Sequence, residues 1–350
     1  MCANHIKDYD IVTLDSDRCQ DWDQYVLAHS EGSFFHLSGW KTVIENTFKH
    51  QCHFLFAVQQ NKIVGILPLV QQKSILFGHT LVSTPFCVYG GAIADSDAIR
   101  ISLEDAALKL GQDLAVDYVE LRYRKAVTNS NYTLFCHHST YEFELAATPE
   151  EILAGIKKKQ RAVIRHSLKN DLYYHIDKNV EIAYDVYAES VRNLGTPVFH
   201  KDYFKNLLKA FPEQLDVLTV TTKQGEPVSA VLSFYFKGEV LPYYGGGLHE
   251  ARALKSNDFM YYQLMCHAVQ RGCNRFDFGR SKNDSGAAKY KTSYGIPAEP
   301  LHYLRALVKA TEQPNLSPNN PKYALFINGW KRLPLWLSRM IGPYLSKYLG

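Results

Sequence analysis

The residues best placed to do chemistry crowd into one stretch, FDFGRSKNDSGAAKYKTSYG at 276–295. Arg280 follows an Asp277-Phe278-Gly279 strand end, and Gly279 permits a close backbone approach there. An arginine so placed can clamp a phosphate or carboxylate through two hydrogen bonds; a salt bridge to Asp277 is the competing reading. Asp277 is a candidate general base if burial raises its pKa, or the structural partner of Arg280. Lys291, expected on a turn near the same strand end with Tyr290 beside it, offers positive charge where negative charge develops in a reaction. Against that stands the ordinary reading of a lone lysine as a solvated surface charge.

A second group is cationic. Lys157, Arg161, Arg165 and Lys169 recur every four residues, which puts them on one side of a helix. Without interleaved acids they repel one another and gain from an anionic partner such as a sugar diphosphate or a tRNA backbone, although a solvated helix face has the same pattern. Arg161 and Arg165 are the two taken as ligand-binding. Tyr243 and Tyr244, leading into Gly245-Gly246-Gly247, offer aromatic walls and accessible amides for a ligand. His200 falls on an expected loop, as a cleft residue or a hydrogen-bonded structural histidine. Cys136-His137-His138 lacks spaced partners, so no metal site is expected. The chain contains no Walker motif, dinucleotide fingerprint or Ser-His-Asp spacing.

The elements that must position these residues occur twice. AVQQNKIVGILPLV near Gln59 and VTTKQGEPVSAVLSFYF near Gln224 read as strand-turn-strand. Each precedes a Tyr-Gly-Gly element, at Tyr89 and at Tyr244, then a helix-length segment, then a short strand with one acid, Glu120 or Asp277. The repeat implies two similar α/β units. Pro68 marks an edge strand or a bulge. Ser38 is read as a helix N-cap. ATPEEILAGIKKKQRAVIRHSLKND reads as one helix with Thr148 as N-cap, Pro149 at its first position and Glu151 closing a capping box.

Composition agrees: 46% hydrophobic and 21% charged residues in 350, with net charge +4, describe a globular chain without a large nucleic-acid footprint. Seven cysteines without a C-x-x-C pair fit reduced thiols. The first residues lack a secretory pattern and no apolar run reaches membrane-spanning length, so a cytoplasmic location is expected. Beyond Glu312 there is no acid, while Lys322, Lys331, Arg332, Arg339 and Lys347 lie among Trp330, Leu335, Trp336, Leu337 and Ile341. Pro334 and Pro343 should divide this tail into short helices. Two readings remain for 321–350: helices packed on the body, or a peripheral contact with anionic lipid at the inner membrane face.

The 276–295 run, the basic segment KKKQRAVIRHSLKN and the early FFHLSGW together resemble the FemAB-like (FemABX) transferases, over roughly residues 30–310. RNLGTPVFHKDYF is closer to the branch linked to PEP-CTERM and exopolysaccharide systems. The resemblance implies tandem GNAT-like domains at 1–145 and 146–310, with 311–350 as a helical extension. It implies transfer of an aminoacyl or acyl group to an amine of a cell-envelope, peptidoglycan or exopolysaccharide precursor, with aminoacyl-tRNA or acyl-CoA as donor and no tightly bound cofactor. Lys291, Tyr290 and Asp277 would be catalytic; Arg280, Arg161, Arg165, Tyr243, Tyr244 and His200 would bind substrate. Between the second Tyr-Gly-Gly and its helix the chain reads HEARALKSNDF, without the glycines of a GNAT pyrophosphate loop, a departure that speaks against CoA bound by the ordinary route. Direct transfer without a covalent intermediate is expected, since no cysteine or serine sits in a nucleophile setting. An acyl-CoA-dependent enzyme and a non-catalytic glycan-binding scaffold are the alternatives.

Overall fold

The computed structural model describes residues 8–75, 77–312 and 321–349, and these form two compact units. The first holds the described residues up to Cys136 together with those from Leu301 to 312; the second holds His137–Pro300 and the tail. The sequence reading closes the second domain at 310, whereas the strand His302–Leu307 lies in the first unit's sheet, antiparallel to Tyr118–Tyr123 and to Thr133–Phe135. Arg305 on that strand reaches Glu120 and accounts for the placement.

In the first unit, Leu55–Gln59 and Lys62–Leu67 form a hairpin. Its corner residues Gln60 and Asn61 take left-handed φ of 47° and 64°, the twist that a two-residue hairpin turn requires. Pro68 divides what would be one long strand. Lys62–Leu67 stays in a four-stranded sheet, while Leu69–Ser74 pairs antiparallel with Gly78–Ser83 in a six-stranded one. The helix Asp97–Asp113, capped by the Ser96 side chain, then leads to Tyr118–Tyr123, which lies parallel to Gly78–Ser83. Ser38 does not cap its helix: it is already helical, and its hydroxyl donates to Asp23.

The second unit repeats the sequence of moves. Pro227–Phe236 and Glu239–Gly247 pair antiparallel, the helix Ser256–Gln270 follows, and Arg275–Asp277 returns parallel to Glu239–Gly247. These strands belong to a six-stranded sheet flanked by Glu142–Glu144 on one side and by Leu215–Thr222 and Leu172–Asp177 on the other. The capping box at Thr148 and Glu151 forms as read, but the single long helix does not. Ile156 and Lys157 are extended, so Pro149–Gly155 ends before Lys158–Ser167 begins. The break sends Ile156 fully into the core among Ile152, Ile164 and Tyr294 and leaves the cations outside.

The tail packs on the second unit through two helices, Pro321–Trp330 and Leu335–Ser346. Trp330 is buried, Arg192 donates to the Leu333 carbonyl, and Arg339 pairs with Asp185. The second helix runs through Pro343 rather than stopping there. No helix among the described residues is long and apolar enough to cross a membrane.

Candidate active site

The second unit's sheet parts where the sequence places its chemistry. Parallel pairing between Glu239–Gly247 and Arg275–Asp277 is confined to Glu239 with Arg275 and Val240 with Phe276. Beyond those positions one strand continues through Tyr243 and Tyr244, with Tyr243 the bulged residue opposite the Leu232–Ser233 step of the neighbouring strand, and the other turns at Gly279. Gly279 has φ +72°, the left-handed region that favours glycine, and its amide donates to Asp277 at 2.8 Å. Asp277 is fully buried and also accepts from the Thr140 hydroxyl at 2.7 Å. Its carboxylate thereby shapes the turn from inside.

Lys291 closes this strand end. It lies not on a turn but in the helix Gly286–Ser293, which Ser285 caps through the Ala288 amide. From the last helical turn its ammonium donates to the carbonyls of Gly279 at 2.7 Å and Arg280 at 3.1 Å, over the Tyr141 ring at 5.4 Å. Burial lowers its pKa to about 8, with Asp277 opposing the shift and Arg280 adding to it. An ammonium has three N–H groups, and two go to these carbonyls. What remains is a desolvated donor on a fixed scaffold, the kind of group that stabilises a developing oxyanion.

Tyr290, adjacent in sequence, points elsewhere. Its hydroxyl donates to Asp258 at 3.0 Å and lies 3.1 Å from that of Tyr294, and burial raises its pKa well above the usual value. Gln160 donates to the same Asp258 oxygen at 2.6 Å, and Ser293 donates to Gln160. This network ties the basic helix, the helix Ser256–Gln270 and the Lys291 helix together, so Tyr290 positions its neighbour. The sequence reading did not single out Gln160, Asp258 or Tyr294; only the acid in a helix's first turn stood as a signal. Tyr141, the ring under the ammonium, falls at the end of a segment, 126–141, that reads as a loop or strand leading out of the first unit.

The basic helix presents Lys158, Arg161, Arg165, His166 and Lys169 around an open concavity of about 460 Å³. Arg161 is partly committed, donating through Nε and one terminal nitrogen to the Ile156 carbonyl at the helix break. Arg165 is exposed. Lys157 precedes the helix and donates to the Thr292 carbonyl, so the regular stripe is shorter than its spacing suggests.

Tyr243, Tyr244 and His200 make contacts within the second unit. The Tyr244 hydroxyl lies 2.7 Å from that of buried Tyr203, inside a cluster with Tyr187, Phe199 and Phe204. Tyr243, partly exposed, packs on Phe234. The glycines that follow allow close packing: a Cβ on Gly246 would lie 2.4 Å from the Ser190 side chain, and one on Gly247 2.6 Å from Ala251. His200 caps the helix Lys201–Ala210 from the surface, its Nδ1 accepting from the Asp202 amide. Glu142, Glu239 and Asp277 bring carboxylate oxygens within 4.8 Å of one another, an all-oxygen set of the kind a hard divalent ion takes, though Asp277 already serves the turn.

Residues 137–292 match the family model of the acetyltransferase (GNAT) domain. The second unit has a GNAT-like fold. The first unit repeats its order of antiparallel strands, helix and parallel strand. Solved structures agree on the tandem fold. FemX is 13% identical with TM-score 0.66, the match covering 86% of this chain and 98% of that one. L-PGS from Bacillus licheniformis is 13% identical with TM-score 0.57, covering 94% and 98%. A tandem GNAT protein from the clavulanic acid biosynthesis pathway is 10% identical with TM-score 0.52, covering 87% and 100%. No curated protein matches the sequence significantly.

Proposed function

We propose that this protein transfers an acyl or aminoacyl group directly to an amine, in the manner of the FemAB-like transferases, on an anionic cell-envelope or exopolysaccharide precursor. The observation that carries the reading is the Lys291 ammonium, desolvated and fixed on two carbonyls where a GNAT sheet parts. Attack of a neutral amine on the acyl carbonyl places negative charge on that oxygen, and the remaining N–H of Lys291 stabilises it. The oxyanion then collapses, the bond from the acyl carbon to the donor's oxygen or sulfur breaks, the surplus proton of the attacking amine passes to that leaving atom, and the amide forms. The basic concavity with Arg165 and Lys169 holds the anionic part of a substrate.

The donor is proposed to be aminoacyl-tRNA, with acyl-CoA the alternative. One helical turn, Ala251–Leu254, stands before the helix Ser256–Gln270, whose first turn carries the Asp258 carboxylate. Negative charge at a helix start is a poor neighbour for a diphosphate. The test incubates purified protein separately with aminoacylated tRNA and with acyl-CoA, following heat protection and amine-dependent loss of donor. Protection by charged tRNA that weakens steeply with salt is expected. Protection and turnover with acyl-CoA alone would move the assignment to the alternative, and no effect of either donor would overturn the transferase reading.

A further inference from the structure

The tail helix Leu335–Ser346 is built the wrong way round for a helix whose only task is to pack. Its inward face is small: Ser338 and Ser346 are 1% exposed, and Gly342 sits so close to the backbone of Val198 that a Cβ would meet its carbonyl at 2.9 Å. Three of its largest apolar residues face outward, with Trp336 66%, Met340 56% and Tyr344 72% exposed, while Leu335, Leu337, Ile341 and Leu345 are half-buried. Each triplet repeats every fourth residue, and the two are offset by two positions, about 200° around an α-helix. An amphipathic helix in a globular protein buries its large residues and shows the small or polar ones. The preceding helix adds exposed Leu325 and Phe326, while its Trp330 is buried.

Charge says what would cover this face. Beyond Glu312 the chain has no carboxylate side chain, and Lys331 and Arg332, at the junction of the two helices, are exposed. Asp185, on the helix that the tail packs against, is paired with Arg339. We infer that the outward stripe Trp336, Met340 and Tyr344, with Leu325 and Phe326, seats the second unit on a bilayer surface carrying anionic headgroups. The aromatic side chains enter the interfacial layer, and Lys331 and Arg332 meet the phosphates. Tryptophan and tyrosine are suited to that layer, having an apolar body and one polar atom. An apolar stripe with flanking cations is the pattern of a helix that lies in a membrane plane rather than crossing it. This inference does not depend on the transferase reading, because it concerns a face remote in sequence from Lys291 and is measured without turnover.

The experiment mixes the full-length protein with vesicles of phosphatidylcholine plus phosphatidylglycerol, or of phosphatidylcholine alone, and follows sedimentation and tryptophan fluorescence. Trp22, Trp40 and Trp330 are buried and Trp336 is exposed, so a blue shift on vesicle binding reports this stripe. Binding and a blue shift are expected with the anionic vesicles, both weakening with salt. The triple variant Trp336→Ser, Met340→Ser, Tyr344→Ser should bind at least about tenfold more weakly, as should Lys331→Gln with Arg332→Gln, in keeping with the contribution each buried apolar group and each cation makes at a lipid surface. All these positions are exposed, so circular dichroism of the variants should match the parent. Equal binding by parent and triple variant would overturn the inference. So would absent vesicle binding, and so would a parent that self-associates through the stripe and ignores lipid.

Discussion

Lys291 brings a cost and a proposed function to the same nitrogen. Its folded pKa, about 8, lies below its ordinary value of 10.5. Between those two values the unfolded chain holds a proton that the folded chain has lost, so stability rises with pH across this window. Below pH 8 both states are protonated and the penalty of the buried ammonium is fully present. Urea titrations at pH 7.5 and pH 9.5 should therefore show the parent gaining stability, and Lys291→Met losing that increment. Activity should go the other way at high pH, because the ammonium donates: turnover falls above about pH 8. Lys291→Ala should lower turnover by about 100- to 1000-fold, the usual loss for one oxyanion donor. A rate that keeps climbing above pH 8 in the parent would instead make the neutral amine a base. The sequence showed the residue and its neighbours but not their directions. Tyr290 and Lys291 are adjacent letters, and a helix turns successive side chains about 100° apart, so one reaches Asp258 and the other the strand end.

At the scale of elements, the basic segment separates two jobs that its spacing merged. Arg161 spends its guanidinium on the Ile156 carbonyl, where one helix stops and the next starts, whereas Arg165 is exposed beside the concavity. Arg161→Ala should lower stability by about 1–2 kcal/mol, through a buried carbonyl left without its charged partner, and weaken anion binding as well. Arg165→Ala should leave stability unchanged within about 0.5 kcal/mol, as surface substitutions do, while weakening tRNA or polyphosphate binding and flattening its salt dependence. Calorimetry beside a binding titration at two salt concentrations checks both; equal loss of stability in the two variants would contradict the division. The capping box at Thr148, the hairpin at Gln60-Asn61 and the break at Pro68 were legible because each is local chemistry with one dominant geometry. The interruption at Ile156-Lys157 was not: Gly155 stands at it, but as the last helical residue without the left-handed φ of a glycine cap, and a lone glycine within a helical pattern is a weak stop. Tertiary burial of Ile156 overrides helix propensity there.

At the scale of the whole chain, the duplicated topology was visible in the order of motifs, while the membership of the late strand was not. His302–Leu307 follows the second unit in sequence yet lies between Tyr118–Tyr123 and Thr133–Phe135 of the first. A long-range ion pair fixes it. Burial alone would raise the Glu120 carboxyl, but Arg122 and Arg305 outweigh burial and bring it down to about 2. Glu120 is 6% exposed and Arg305 15%, so removing Arg305 leaves the buried carboxylate with Arg122 alone. Arg305→Met should cost about 1–3 kcal/mol, because Glu120 loses one charged partner and keeps Arg122, and Glu120→Gln with Arg305→Met should recover little, since it leaves buried Arg122 without its carboxylate. The sign with pH follows from a depressed carboxyl. The pair's contribution is complete above the usual carboxylate value and drains away as pH falls from about 4.5 toward 2. Arg305→Met should accordingly lose most stability at neutral pH and differ least from the parent near pH 2 to 3, in urea unfolding across that range. Because the partner residues come from opposite ends of the second unit's insertion, the same measurement tests whether a strand so late in the chain completes the first unit's sheet. A variant as stable as the parent at pH 7 would mean that backbone pairing alone holds it there.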